Sequence, residues 1–213
     1  MSWKRSRTGM AVAAAAAAAA IAVTVAFVSG GPGHASTRAG RSMPGTGLAA
    51  GRSGFAWFRA RPVPPGWRQA ALPAGGAALS FPSSLSAMPG DAGTVTRGLA
   101  RSGSVLVYLN VTPRQGGETL RGWAGFRLEH LRDDDARSAR LDSEAAGLAF
   151  RGGRGSCVID DYVTKVRAHP YREIACYVQG AHTSSVLVAA TPAADWARYG
   201  GLLEQAVDSY AVS

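Results

Sequence analysis

The sequence predicts an α+β domain, an antiparallel sheet covered by two amphipathic helices, preceded by a single N-terminal apolar helix. Three observations predict it. Residues 10–28, MAVAAAAAAAAIAVTVAFV, run nineteen positions without a charge. Short β-like runs separated by turn residues recur between 77 and 191. Two segments, 118–132 and 193–210, change to a helical period.

The apolar run comes first. At about 1.5 Å per residue it spans roughly 28 Å, close to the ~30 Å hydrocarbon core of a bilayer. Lys4, Arg5 and Arg7 precede it and hold residues 1–9 on the cytoplasmic side, so everything downstream faces outward. The run is either a retained anchor, making the membrane itself a partner through residues 10–28, or a signal peptide. In the second case Gly33 and Ala35 offer small residues for cleavage after Ala35, and the protein is secreted. Residues 29–54 are rich in Gly and Ser without apolar periodicity and read as a linker. Residues 55–213 are one domain's length.

The basicity divides along the same line. The chain has 23 Lys+Arg against 14 Asp+Glu, but six bases (Lys4, Arg5, Arg7, Arg38, Arg41, Arg52) precede residue 55 and every acid follows it, leaving 17 against 14. The excess is a topology signal with a basic linker, and no nucleic-acid partner is expected.

Within the domain, 55–67 packs Phe55, Trp57, Phe58 and Trp67 around a proline cluster and reads as an ordered strap. Strands are expected at 77–81, 94–101, 105–112, 141–150, 157–166, 171–178 and 184–191, all in one sheet, with a hairpin turn near His169-Pro170. Val105, Val107, Leu109 and Val111 alternate with Leu106, Tyr108, Asn110 and Thr112, the period of a strand. In the first helix Leu120, Trp123, Ala124, Leu128 and Leu131 form one stripe. In the second, Trp196, Tyr199, Leu203, Ala206 and Tyr210 recur at helical spacing, with Gly200-Gly201 bending it or allowing close packing. Trp123 and Trp196 are the expected core residues.

Motifs that carry chemistry are sparse. The chain contains no G-x-S-x-G, H-E-x-x-H, C-x-x-C or Walker-type loop, so no catalytic residue, metal or cofactor is assigned. His130, His169 and His182 lack paired-ligand spacing, and Asp133-Asp134-Asp135 reads as a solvated loop. Adjacent Asp160 and Asp161 on a strand point to opposite faces. The candidate binding element is Arg151, Gly152, Gly153, Arg154 and Gly155. Its glycines could aim successive N–H groups at an anion beside two guanidiniums, or simply form a turn. Cys157 and Cys176 are the only cysteines, and export favours a disulfide. A tight hairpin at 168–169 opposes this, because it would place residue 180, not 176, across from Cys157. The cysteines are then a bridged pair needing a longer turn, or two buried thiols.

GWRQAALPAGGAALSFP (66–82), YLNVTPRQGGETLRGWAGFRLEHL (108–131), GRGSCVIDDYVT (153–164), YREIACYV (171–178) and the closing Trp-containing helix resemble a group of exported actinobacterial proteins of uncharacterised function. Their domain is similar to the PsbP-like αβα sandwich, which also includes the mycobacterial LpqN-type lipoproteins. A Tyr-Pro-x-x-Trp strand end common there is Phe81-Pro82-Ser83-Ser84-Leu85 here, keeping the proline and losing the tryptophan. The resemblance implies a non-enzymatic cell-envelope protein that binds a protein, a lipid or a wall component, with Cys157 and Cys176 as a structural pair. An exported hydrolase with an unrecognised site is the alternative.

Overall fold

The structure, a computed structural model, describes residues 53–213. The charged flank 1–9, the apolar run 10–28, the cleavage position after Ala35 and the linker up to Arg52 lie outside the described residues. Among the described residues no helix is long and apolar enough to cross a membrane.

The described chain opens on a helical turn, Ser53–Phe55, and continues as the proline-rich strap. Pro62, Pro64 and Pro65 have no N–H to offer a sheet. The strap is instead tied down where donors remain: Arg59 N donates to Asp208 Oδ1 (2.9 Å) and Arg61 N to Asp208 O (2.8 Å). Then follow β1 (Trp67–Ala71), β2 (Ala77–Pro82), β3 (Ser86–Ala87), β4 (Val95–Arg101), β5 (Ser104–Pro113) and α1 (Trp123–His130). After them come β6 (Ala136–Phe150), β7 (Gly153–Thr164), β8 (Pro170–Gly180), β9 (Ser184–Pro192), α2 (Trp196–Asp208) and β10 (Ala211–Val212).

The expected single sheet is divided in two. One has three strands in the order β1-β2-β10, the other seven in the order β3-β4-β5-β9-β8-β7-β6. Pairing is antiparallel throughout. The β6–β7 ladder shifts register at three places, between Ala136 and Ser138, Leu141 and Ser143, and Ala145 and Leu148.

The β7–β8 hairpin differs from the expected one. Its loop is 165–169, and Pro170 already sits in β8 opposite Val163. Arg167 and Ala168 take left-handed φ values of 62° and 53°, which turn the chain earlier than a His169-Pro170 turn would. Cys157 therefore stands opposite Cys176. The two are joined by a disulfide with a Cα–Cα distance of 4.1 Å.

Because strand side chains alternate, β8 feeds two cores. Ile174, Cys176 and Val178 belong to a buried cluster with Leu203, Ala206 and Val207 of α2. Ala175 and Tyr177 belong to a second, with Trp123 of α1, Val158 and Ala190. Trp123 is 2 % exposed, as its periodicity requires.

Three helix expectations are corrected. α1 begins at Trp123, not 118; Thr119 Oγ1 caps Gly122 N at 3.0 Å just before it. Its inward stripe turns by one residue, so Arg127 is buried while Leu128 is half-buried. A π-type turn, Leu131–Asp135, absorbs the three aspartates, and β6 starts at Ala136. Trp196 is half-buried and not a core residue, lying at the edge of its cluster with the Arg172 guanidinium 5.1 Å from the ring. The Gly200 backbone approaches the Trp196 indole so closely that a Cβ would lie 3.1 Å from it. Gly200 thus serves close packing within a continuous helix.

The disulfide links residues 19 apart in sequence. In the chain-entropy picture closing such a loop stabilises the fold by about 3 kcal/mol. Cys157→Ser, Cys176→Ser and the double variant should each lose about that much in urea unfolding, and wild type under reductant should match them. An unreduced wild type that titrates two free thiols would show that the cysteines are only core packing.

Candidate functional site

The five residues predicted to hold an anion share one hairpin. Phe150 pairs with Gly153, leaving Arg151 and Gly152 as its turn. Gly152 has φ +81°, and a Cβ there would overlap the Val212 carbonyl oxygen. At Gly153 it would overlap the Gln179 carbonyl oxygen, and at Gly155 the Phe150 ring. Close approach of β10 explains the first of these: Val212 N donates to Arg151 O at 2.9 Å, and Ala211 bridges Arg151. The glycines thus admit the C-terminal strand and the Phe150 ring, while the Arg151 and Arg154 side chains are exposed.

A second constellation escaped the sequence reading. The Trp123 indole donates to Ala175 O (2.9 Å), seating α1 on β8. One turn later Arg127 Nε donates to Glu173 Oε1 at 2.7 Å. The β7–β8 register then places Asp160 directly opposite Glu173. Both acids are 0 % exposed and Arg127 only 8 %. Two carboxyls thus face each other beneath a helix, and only Glu173 meets the guanidinium. Neither Asp160 oxygen, nor Glu173 Oε2, meets a donor among the described residues.

A buried carboxylate without donors is costly, and a proton is the least expensive remedy. Burial, then the neighbouring charge of Glu173, push the Asp160 carboxyl up to about 9, against the opposing charge of Arg127. Burial would lower the Arg127 guanidinium, but the charge and hydrogen bond of Glu173 outweigh it and hold the proton more firmly. The phenols around the cluster, Tyr108 and Tyr162, are raised chiefly by burial. Tyr162 stacks on Tyr171 with ring centroids 5.7 Å apart. The Trp123 and Arg127 bonds fasten α1 to the sheet.

Asp161 faces the opposite side, as alternation demands. Arg172 Nη1 lies 3.1 Å from Asp161 Oδ1, and Arg172 Nη2 2.7 Å from Asp142 Oδ2. Arg140 reaches Asp161 Oδ2 at 2.7 Å. These pairs are partly exposed, so each contributes little. His130 pairs with Asp134 at 3.0 Å, and His169 N bonds Thr164 Oγ1 at the hairpin loop. No group of three His, Cys, Asp or Glu among the described residues is placed to hold a metal ion. A shallow cleft of about 370 Å³ lies between the strap (Arg61–Pro65) and the end of α2. Asp208 at its floor is already bound to Arg59 and Arg61.

No family model and no curated protein matches this chain. Among solved structures, cyanobacterial PsbP (CyanoP) from Synechocystis sp. PCC 6803 aligns at 14% identity and TM-score 0.50, over 81% of this chain and 98% of that one. The fold is PsbP-like. PA94 from Pseudomonas aeruginosa, a protein of unknown function, aligns at 12% identity and TM-score 0.44 over 67% of this chain and 94% of its own. LpqN of Mycobacterium tuberculosis, involved in cell envelope biogenesis, aligns at 12% and 0.36, over 71% and 81%.

The Asp160 proton makes stability depend on pH. With a folded value near 9 against 3.8 for the free side chain, the folded state binds more protons between these limits. This contribution is fully present below about pH 4 and fades as pH rises toward 9. Denaturant unfolding from pH 4 to 9 should show wild type weakening toward the alkaline end, and Asp160→Asn should flatten the profile. Equal slopes would remove Asp160 from the account. Glu173→Gln strips the buried guanidinium of its counter-charge and should cost about 3–5 kcal/mol.

Proposed function

We propose that this chain is an exported cell-envelope protein, held by residues 10–28 in the membrane, whose domain binds a protein, lipid or wall component outside the cytoplasm without catalysing a reaction. The observation that carries the reading is the disulfide. Cys157 and Cys176 are bridged, at 1 % and 0 % exposure, in the main hydrophobic cluster, and bonds of this kind persist chiefly in oxidising compartments. The charge pattern of the N-terminus, with Lys4, Arg5 and Arg7 before nineteen uncharged residues, supports the same side of the membrane. The PsbP-like fold shared with CyanoP supports the αβα sandwich. Arg151 and Arg154 beside the Gly152 turn are the proposed anion contacts.

The test is topological. Alkaline phosphatase joined through a linker after Ser213 should be active in cells, and a cytoplasmic reporter at the same place inactive. The reverse would overturn the reading. Recovery of the chain in washed membranes distinguishes the anchor from release after Ala35.

A further inference from the structure

We propose that one end of the seven-stranded sheet, carrying Arg59, Arg61, Arg151 and Arg154, is a docking face for an anionic lipid surface. It rests on the reading of residues 10–28 as a membrane anchor and specifies which part of the domain meets that membrane.

Strand register brings these residues to one end. Phe150 pairs with Gly153, Gly153 with Gly180, Gln179 with Ser184, and Pro113 with Ser185, so the turns at 151–152 and 181–183 and the end of β5 lie together. The strap joins them, since the Phe58 and Phe150 rings are 4.8 Å apart. Arg59 and Arg61 are fixed there through Asp208. All four guanidinium-bearing residues are exposed. Arg59, Arg151 and Arg154 make no salt bridge among the described residues.

Two of the acids at this end are withdrawn, while half-buried Glu204, one turn before Asp208 on α2, and exposed Asp91 are not. Asp208 (side chain 9% exposed) is taken up by the strap. Glu118 (3%) accepts from Gln115 N and Gly116 N and lies beside Arg114. Exposed Asp91 lies before β4, separated from β7 by β5, β9 and β8. At ~4.8 Å per strand that is roughly 19 Å, beyond the ~8 Å screening length at physiological salt. The opposite end is mixed: exposed Asp133 and Asp134 lie by Arg132, and Lys165 donates through Nζ to Asp133 O. This end thus presents more exposed guanidiniums (Arg59, Arg61, Arg151, Arg154) than exposed carboxylates.

A surface of anionic headgroups matches that end. Each arginine brought to such a surface is worth about fivefold in affinity. The linker expected from the sequence of 29–54 has a root-mean-square reach of roughly 25–30 Å, which would give even a weak face a high effective concentration of headgroups.

The test uses the full chain reconstituted in phosphatidylcholine vesicles with and without phosphatidylglycerol. Amide exchange is followed over 58–61 and 150–155. Phosphatidylglycerol should slow exchange there, and Arg59→Gln, Arg151→Gln and Arg154→Gln should each reduce the added protection about fivefold. The corresponding lysine variants should keep most of it, and Arg132→Gln with Arg167→Gln, at the other end, should change nothing. Identical exchange in both vesicles would overturn the proposal. The same protection from soluble polyphosphate over neutral vesicles would overturn the lipid as its source. The anchor is scored separately, by whether the chain stays with neutral vesicles through alkaline washing. A chain that stays but gains no protection sinks the docking face alone. One that washes off yet is protected by added phosphatidylglycerol vesicles sinks the anchor alone.

Discussion

The register between β7 and β8 is the constraint on which the rest depends. Once Cys157 faces Cys176, every other pair across this hairpin is determined, and strand alternation sorts them onto two sides. Odd positions of β7 carry Cys157 and Ile159 into the core shared with α2, while Val158 lies in the core shared with α1 and Asp160 opposes Glu173. A slip of one residue would exchange the two sets. It would put the disulfide sulfurs on the side of Arg127 and the acids among leucines.

The acids confirm the register by their cost. Asp160 and Glu173, both sealed, make sense only where Arg127 descends from α1 between them and solvent. Such a cluster adds little net stability compared with an apolar replacement, but breaking it is expensive. It therefore discriminates among placements of α1. The Trp123 bond to Ala175 O sets where the helix starts, and Arg127 one turn later sets its rotation.

Much of this was legible in the sequence. Short β-like runs between turn residues marked β4, β8 and β9, period-two alternation marked β5, and the α1 stripe marked Trp123. The buried cluster was hidden by one displaced turn. With the hairpin placed near His169-Pro170, Asp160 faces no acid. Placing the turn at 166–167 brings Glu173 opposite it and Cys176 opposite Cys157 in a single step. Left-handed φ at Arg167 and Ala168 allows this turn, and neither residue type advertises that conformation. Arg127 was passed over because Leu128, beside it, satisfied the stripe. β10 was missed because two residues carry no period; the glycines at 152 and 153 were its only trace, and they read equally well as an anion loop. Periodicity puts Trp196 on the inward side of α2, but it reports which side of a helix faces inward, not how deeply its first turn sits.

β6 has a consequence of another kind. Fifteen residues long, it is the last strand of its sheet, and an uninterrupted outer strand of that length is a template on which a second copy could grow a ladder. Here its pairing is broken at three places, and Arg137, Arg140, Asp142 and Glu144 stand exposed along it. A border so broken and charged offers a second copy no continuous ladder to extend.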